Sequence, residues 1–189
     1  MKHHDPYPNT LLGFWLYLMS DGVLFATLFV TYLVLKGSTF GGPGPKELLD
    51  PTNALAETVV LLTSSFLCAP AMHAAFRNQK HLVLLLLSLL FLFGATFLYL
   101  GGHELIHLVE TGNSWQKSAF LSAFFGLIGT HQLHIVFGGI WLILLMTEIL
   151  ISGLTPTVLR RLTCFRLFWH FSVVVWLFVF TIVYLMGAR

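Results

Sequence analysis

Charge is scarce in this 189-residue chain: Lys and Arg number 10 and Asp and Glu 8, together 10% of residues. Soluble domains run near a quarter charged, so a water-exposed globular domain is excluded. Cysteine is nearly absent too. Cys68 and Cys164 lie in or beside apolar runs and form no C-x-x-C, which removes a disulfide framework and a zinc ribbon and leaves two small packing residues. The net charge of +2 comes from scattered basic residues, not from a run or stripe, so nucleic acid is not a partner. There is no internal repeat.

What fills the chain instead is apolar. Hydrophobic residues make up 57% and mean hydropathy is +0.83, which describes a polytopic membrane protein of the all-α class. Runs of about twenty apolar residues place five transmembrane helices at about 11–35, 54–76, 82–102 (with a possible extension to 109), 119–147 and 167–187, in one domain spanning 1–189. The 29 residues of the fourth span would reach about 43 Å against a hydrocarbon core of about 30 Å, so it tilts or projects beyond the lipid. Between the first two spans, GSTFGGPGPKELLDP cannot be a continuous helix and reads as an exposed loop. MKHH ahead of an apolar stretch resembles a signal peptide. The stretch is too long and lacks an A-x-A-like site, so an uncleaved signal-anchor helix is expected. Lys2, Arg77, Lys80, Arg160, Arg161 and Arg166 fall on one side, and Lys36, Lys46, Lys117 and Arg189 on the other, where acidic residues offset them. By the positive-inside rule the N-terminus is cytoplasmic and the C-terminus outside, a side that the resemblance described below makes the periplasm of a bacterial inner membrane.

Against this background polar residues inside spans stand out. Asp21 lies near the middle of the first span, where an ionised carboxylate costs about 2.5–3.5 kcal/mol, so it must face protein, as a relay, a subunit contact or an interhelical tie. Glu57 is expected near an interface, complementing the positive end of a helix capped by Asn53. HELIH, His103 to His107, fits H-E-x-x-H, in which two histidines one turn apart hold zinc and the glutamate activates water. The match is short and a third ligand would have to come from His131 or His134. A membrane zinc metalloprotease using His103, Glu104 and His107 is therefore one alternative. His131 and His134, three apart and therefore on one helical face, sit among Gly126, Gly129, Gly138 and Gly139, and raise a second: a b-type haem cytochrome with partners from His73, His107 or His170. Glycines at such spacing also arise from close helix packing in lipid. A di-iron site built on Glu104-x-x-His107 fails because it needs that pair twice with two further glutamates.

FLSAFFGLIGTHQLHIVFGGIW, residues 120–141, resembles the G-x-H-x-x-H-V-x-x-G segment of subunit III of haem-copper respiratory oxidases. FRLFWHFSVVVWLFVFTIVYLMG is similar to that family's W-H-F-x-D-x-V-W-x-F terminal helix. GFWLYLMSD in the first span and E-x-x-H in the third extend the resemblance over nearly all of the chain beyond residue 10. Five spans and the LMSD and VYLMGA wording look most like the bo-type ubiquinol oxidase branch, with a cytochrome c oxidase subunit III as the alternative. The resemblance implies a non-catalytic subunit of a proton-pumping terminal oxidase. Haem and copper would reside in partner subunit I, with subunits II and IV in the same complex and phospholipid held in a cleft. Asp21, Glu57, His73, Glu104, His107, His131, His134, His170 and Trp176 then become structural, lipid-cleft or subunit-contact positions. Val173 stands where many members carry Asp, which removes any role resting on that carboxylate.

Overall fold

The computed structural model describes residues 10–187; Lys2 and Arg189 of the charge count lie outside them. Its elements are α1 (Thr10–Leu35), a single turn α2 (Pro45–Leu48), α3 (Pro51–Phe76), α4 (Lys80–Glu110), α5 (Ala119–Ser152) and α6 (Pro156–Val179). The last helix runs on into a π-helical turn, Phe180–Leu185, closed by Met186 N–H donating to the Thr181 carbonyl. Five helices are long and apolar enough to cross a membrane. In hydrocarbon every backbone polar group needs an internal partner, which leaves helices as the only form these apolar runs can take singly.

Helices α3, α4, α5 and α6 close into a ring, each packed on the next and α6 back on α3, while α1 flanks α5 and α6. The packing is written as a heptad in every helix of the ring. In α5 the buried positions include Leu121, Phe124, Ile128, His131, Ile135, Gly138, Leu142, Leu145 and Ile149, and in α6 Val158, Leu162, Phe165, Trp169, Ser172, Trp176 and Val179. Alternating steps of three and four residues are the seam of left-handed membrane bundles. Half of the apolar window of the last span is buried against 22% for α1, so α6 is the central helix and α1 the peripheral one.

Helix ends differ from the sequence expectation where polar residues begin a span. Asp50, not Asn53, caps α3: its carboxylate accepts from Thr52 N–H at 2.9 Å, with Pro51 in the first turn. The last span, expected from 167, starts at Pro156, and only residues 153–155 separate it from α5, because Thr155 caps α6 through Val158 N–H and Pro156 opens the helix. Gly101 and Gly102 do not end α4. With no water to receive freed backbone groups the helix continues, to an exit at Glu110 where Gly112 adopts φ +77° and Asn113 N–H bonds the Leu108 carbonyl. The end of the long α5 is tied to its neighbours: Glu148 receives both contacts of Arg161 at 2.7 Å, and the Leu150 carbonyl accepts from Lys80 Nζ at 2.9 Å.

Candidate functional site

The residues singled out by sequence fall into three places. The first is a pair linking α1 to α5. His134 Nδ1–H donates to the Thr130 carbonyl at 2.8 Å, and Nε2 stands 3.1 and 3.0 Å from the two oxygens of Asp21, with the hydrogen bond directed at Oδ1. A carbonyl only accepts, so Nδ1 must carry a proton, and one further proton lies between Nε2 and the carboxylate. Whether written as imidazole and acid or as imidazolium and carboxylate, the pair is electrically neutral, which is what hydrocarbon requires. Asp21 therefore faces protein, as its cost demands.

The second place is His131, fully buried one turn from His134 on the same helix. Its Nε2–H donates to the Ser172 carbonyl of α6 at 3.0 Å, and its ring sits against Trp176, Phe97 and Phe25 at centroid separations of 5.1, 5.6 and 6.3 Å. Around it α6 makes two further ties that sequence reading missed. Trp176 Nε1–H donates to Thr58 Oγ1 at 3.0 Å, and Trp169 Nε1–H to Ser64 Oγ at 2.9 Å. Each hydroxyl in turn donates within α3, to the Ala54 and Leu61 carbonyls. The two tryptophans are seven apart and share one face of α6, which was the available signal, whereas Thr58 and Ser64 are six apart and share no face by spacing. The Trp169 indole reaches Ser64 by passing between two glycines: a β-carbon at Gly94 or at Gly138 would come within 3.0 Å of the Trp169 ring or of its neighbour Phe168.

The expected glycine-lined surround of the histidines is thereby corrected. Gly138 accommodates Phe168 and Trp169, and Gly139 faces Phe91, but Gly126 and Gly129 have open space beside them and line nothing. They lie on the turns that face outward.

The third place lies between the start of α3 and the end of α4. Tyr184, carried on the π-helical turn, donates to Glu104 Oε2 at 2.8 Å. Glu57 lies within two turns of the start of α3, is 1% exposed, and occupies a heptad position with Ala54 and Leu61, so it points into the bundle. His103 and His107 are exposed on α4, as is His73 near the end of α3 and His170 on α6, whose Nδ1–H is satisfied by the Arg166 carbonyl. The H-E-x-x-H reading fails on this geometry. Its glutamate is held by Tyr184, while His131 and His134, the proposed sources of a third ligand, are engaged with Ser172 and Asp21. Among the described residues no three His, Cys, Asp or Glu side chains are grouped to hold a metal ion. A haem between histidines fares no better, since His73 and His170 face outward and both His134 nitrogens are used. Val173 is buried at 5% in the α6 packing.

Five apolar helices joined by neutral, inward-facing polar ties define a multi-pass helical membrane protein whose conspicuous histidines are spent on packing. The chain belongs to the cytochrome c oxidase subunit III family, whose model matches residues 6–188. It is 48% identical over 185 residues to a protein of Pseudomonas putida named cytochrome bo(3) ubiquinol oxidase subunit 3, covering 98% of this chain and 89% of that one. Over 177 residues it is 41% identical to the quinol oxidase subunit 3 of Bacillus subtilis, covering 94% and 87%. A cytochrome c oxidase subunit 3 from Bacillus sp. (strain PS3) is 41% identical over 179 residues, covering 95% and 86%. The chain is thus subunit III of a haem-copper oxidase, a component of an oxidoreductase complex with partner subunits and not its catalytic chain.

Proposed function

We propose that this subunit stabilises a partner subunit I that carries the haem and copper of a proton-pumping ubiquinol oxidase, and that it holds phospholipid against that complex, with subunits II and IV completing the assembly. The observation that carries the reading is the inward use of the polar groups at the middle of the bundle, while α1 presents an apolar outer face. Asp21 pairs with His134, His131 donates to the Ser172 carbonyl, and Trp169 and Trp176 donate to Ser64 and Thr58, whereas α1 buries only Leu18, Asp21, Phe25 and Tyr32 and turns Leu16, Met19, Val23, Val30 and Val34 outward. Such a body offers broad apolar faces to lipid and to larger neighbours. Quinol as donor is supported by the 48% identity to the Pseudomonas putida protein of that name; cytochrome c remains the second reading because of the Bacillus relative named for it.

The reading places the chain in a bacterial inner membrane. Arg77, Lys80, Arg160, Arg161 and Arg166 gather at the end where α3 finishes and α6 starts, which supports a cytoplasmic position for that end. The opposite end mixes Lys36, Lys46 and Lys117 with Glu47, Asp50 and Glu110.

Extraction of the tagged chain in mild detergent is expected to recover a much larger haem-containing partner. The same preparation should consume oxygen with a reduced quinol and not with reduced cytochrome c. Recovery of this chain alone would overturn the assembly reading, and the reverse donor preference would move the complex to the cytochrome c class.

A further inference from the structure

His170 stands at mid-membrane depth on a face of α6 that no other helix of this chain covers. Trp169, the residue before it, bonds Ser64, which is thirteen residues from the start of α3 and twelve from its end. Phe171, the residue after it, lies 3.8 Å from where a β-carbon at Gly22 would sit, near the middle of α1. The imidazole is therefore level with the middle of two spans, about 15 Å from either headgroup boundary. Arg166 lies one turn nearer the start of α6, about 6 Å along the axis, beside Cys68 and Ala71 of α3. Ten residues inside the helix, it is set apart from Arg160 and Arg161 of the first two turns.

Arg166, His170, Val174 and Phe178 share one face of α6 by their spacing; Arg166 is half-buried and the other three are exposed. Helices α1 and α3 both pack on α6 and leave this strip between them. His170 Nδ1–H donates to the Arg166 carbonyl at 2.9 Å, so in the neutral ring that hydrocarbon favours, Nε2 is a bare acceptor. Among the described residues Nε2 has no hydrogen-bond partner and the Arg166 guanidinium has no carboxylate within ion-pair distance. A guanidinium does not shed its charge and needs an anion. Acyl chains satisfy neither group, and lipid phosphates stay at the headgroup boundary. The long stem of Arg166 lets it reach toward a phosphate, but the tethered His170 ring cannot follow.

We infer that this strip of α6 seats a transmembrane helix of a partner subunit, which sets an Asp or Glu carboxylate against Arg166 and a hydroxyl or amide N–H donor against His170 Nε2. The inference rests on the assembly reading above and names the face and the chemistry of the contact. A helix is the form such a partner takes at this depth, because its backbone is satisfied internally and only side chains remain to be matched. The guanidinium offers a planar fork of N–H donors to a carboxylate, and the pair is neutral as a whole, as the depth requires. The two partner residues lie three or four apart, to match the single turn between Arg166 and His170. Val174 and Phe178 continue the seat as apolar contact.

The test uses the intact complex recovered through the tagged chain, with haem counted per chain. Arg166→Leu strands the partner's carboxylate and should lower haem recovery about tenfold, and His170→Phe about threefold. Arg166→Lys keeps the charge and brings an amine that an apolar carbodiimide can join to the facing carboxylate. A covalent product linking this chain to a transmembrane Asp or Glu of a partner is then expected, and it decides the matter if Arg166→Leu does not accumulate. Full haem recovery in Arg166→Leu, or absence of that product from Arg166→Lys, would overturn the inference while leaving the assembly reading intact. A product joining two copies of this chain, or loss of a bound anionic phospholipid from Arg166→Leu without loss of haem, would give the strip to another occupant and overturn it as well. Wild-type chain recovered without haem would overturn both readings.

Discussion

Trp169→Ala is expected to destabilise the bundle by about 3 kcal/mol, near the lower end of what emptying a packed aromatic site costs. The indole is 1% exposed, lies between Gly94 of α4 and Gly138 of α5, and bonds Ser64 of α3, so one side chain of α6 holds all three other helices of the ring. In lipid the loss comes from forfeited dispersion contact more than from hydration, because the surrounding solvent is as apolar as the core. The two glycines make the void hard to close, since neither carries a side chain that could move in. Thermal melting in detergent, followed by circular dichroism, measures it. Trp169→Phe, which keeps most of the ring volume and loses the N–H, should cost about 1 kcal/mol. Equal effects from the two variants would place the stabilisation in the hydrogen bond and contradict the packing account.

The second large effect is conditional. His134→Leu should cost about 3 kcal/mol because it strands the Asp21 carboxyl group without the nitrogen that shares its proton, at a site where the Asp21 and His134 side chains are 9% and 15% exposed. Asp21→Leu leaves only a neutral imidazole still bonded to Thr130 and should cost about 1 kcal/mol. The double variant Asp21→Leu, His134→Leu is then expected to match Asp21→Leu alone, a coupling of about 3 kcal/mol in a double-mutant cycle. Additive losses would show that the pair does not act as a unit.

Five spans were readable from hydropathy alone, yet which face of each turns inward was not. In a soluble helix the apolar stripe marks the core, but here lipid-facing positions such as Val30 and Ile151 are as apolar as buried ones. The inward stripe is marked instead by the polar and small residues: Asp21 on α1, Glu57 and Ser64 on α3, Gly94 and Gly101 on α4, His131 and Gly138 on α5, and Ser172 on α6 are all buried heptad residues.

The Asp21–His134 pair was also within reach. Asp21 lies fourteen residues before Leu35 and His134 fifteen after Ala119, and those helix ends meet, since Phe120 N–H bonds the Ser38 carbonyl. The two residues therefore sit at about 21 and 22 Å of depth from one side. What the sequence does not show is which helices adjoin: α1 packs on α5 and α6 and not on its chain neighbour α3, so the pair could be seen only once the ring was known. The π-helical turn that carries Tyr184 to Glu104 has no marker in FTIVYL, and α6 starts at Pro156, ahead of the apolar run from 167, because the Thr155–Pro156 cap opens the helix before Arg160, Arg161 and Arg166.

The central claim is that the histidines of this subunit tie helices together and bind no redox centre. The most direct measurement is the reduced-minus-oxidised difference spectrum of the purified complex, with His131→Gln and His134→Gln introduced together. The account predicts a spectrum with band positions and haem per complex unchanged in whatever fraction assembles, alongside a lower melting temperature. Loss or displacement of a haem band in proportion to the variant chain would contradict it.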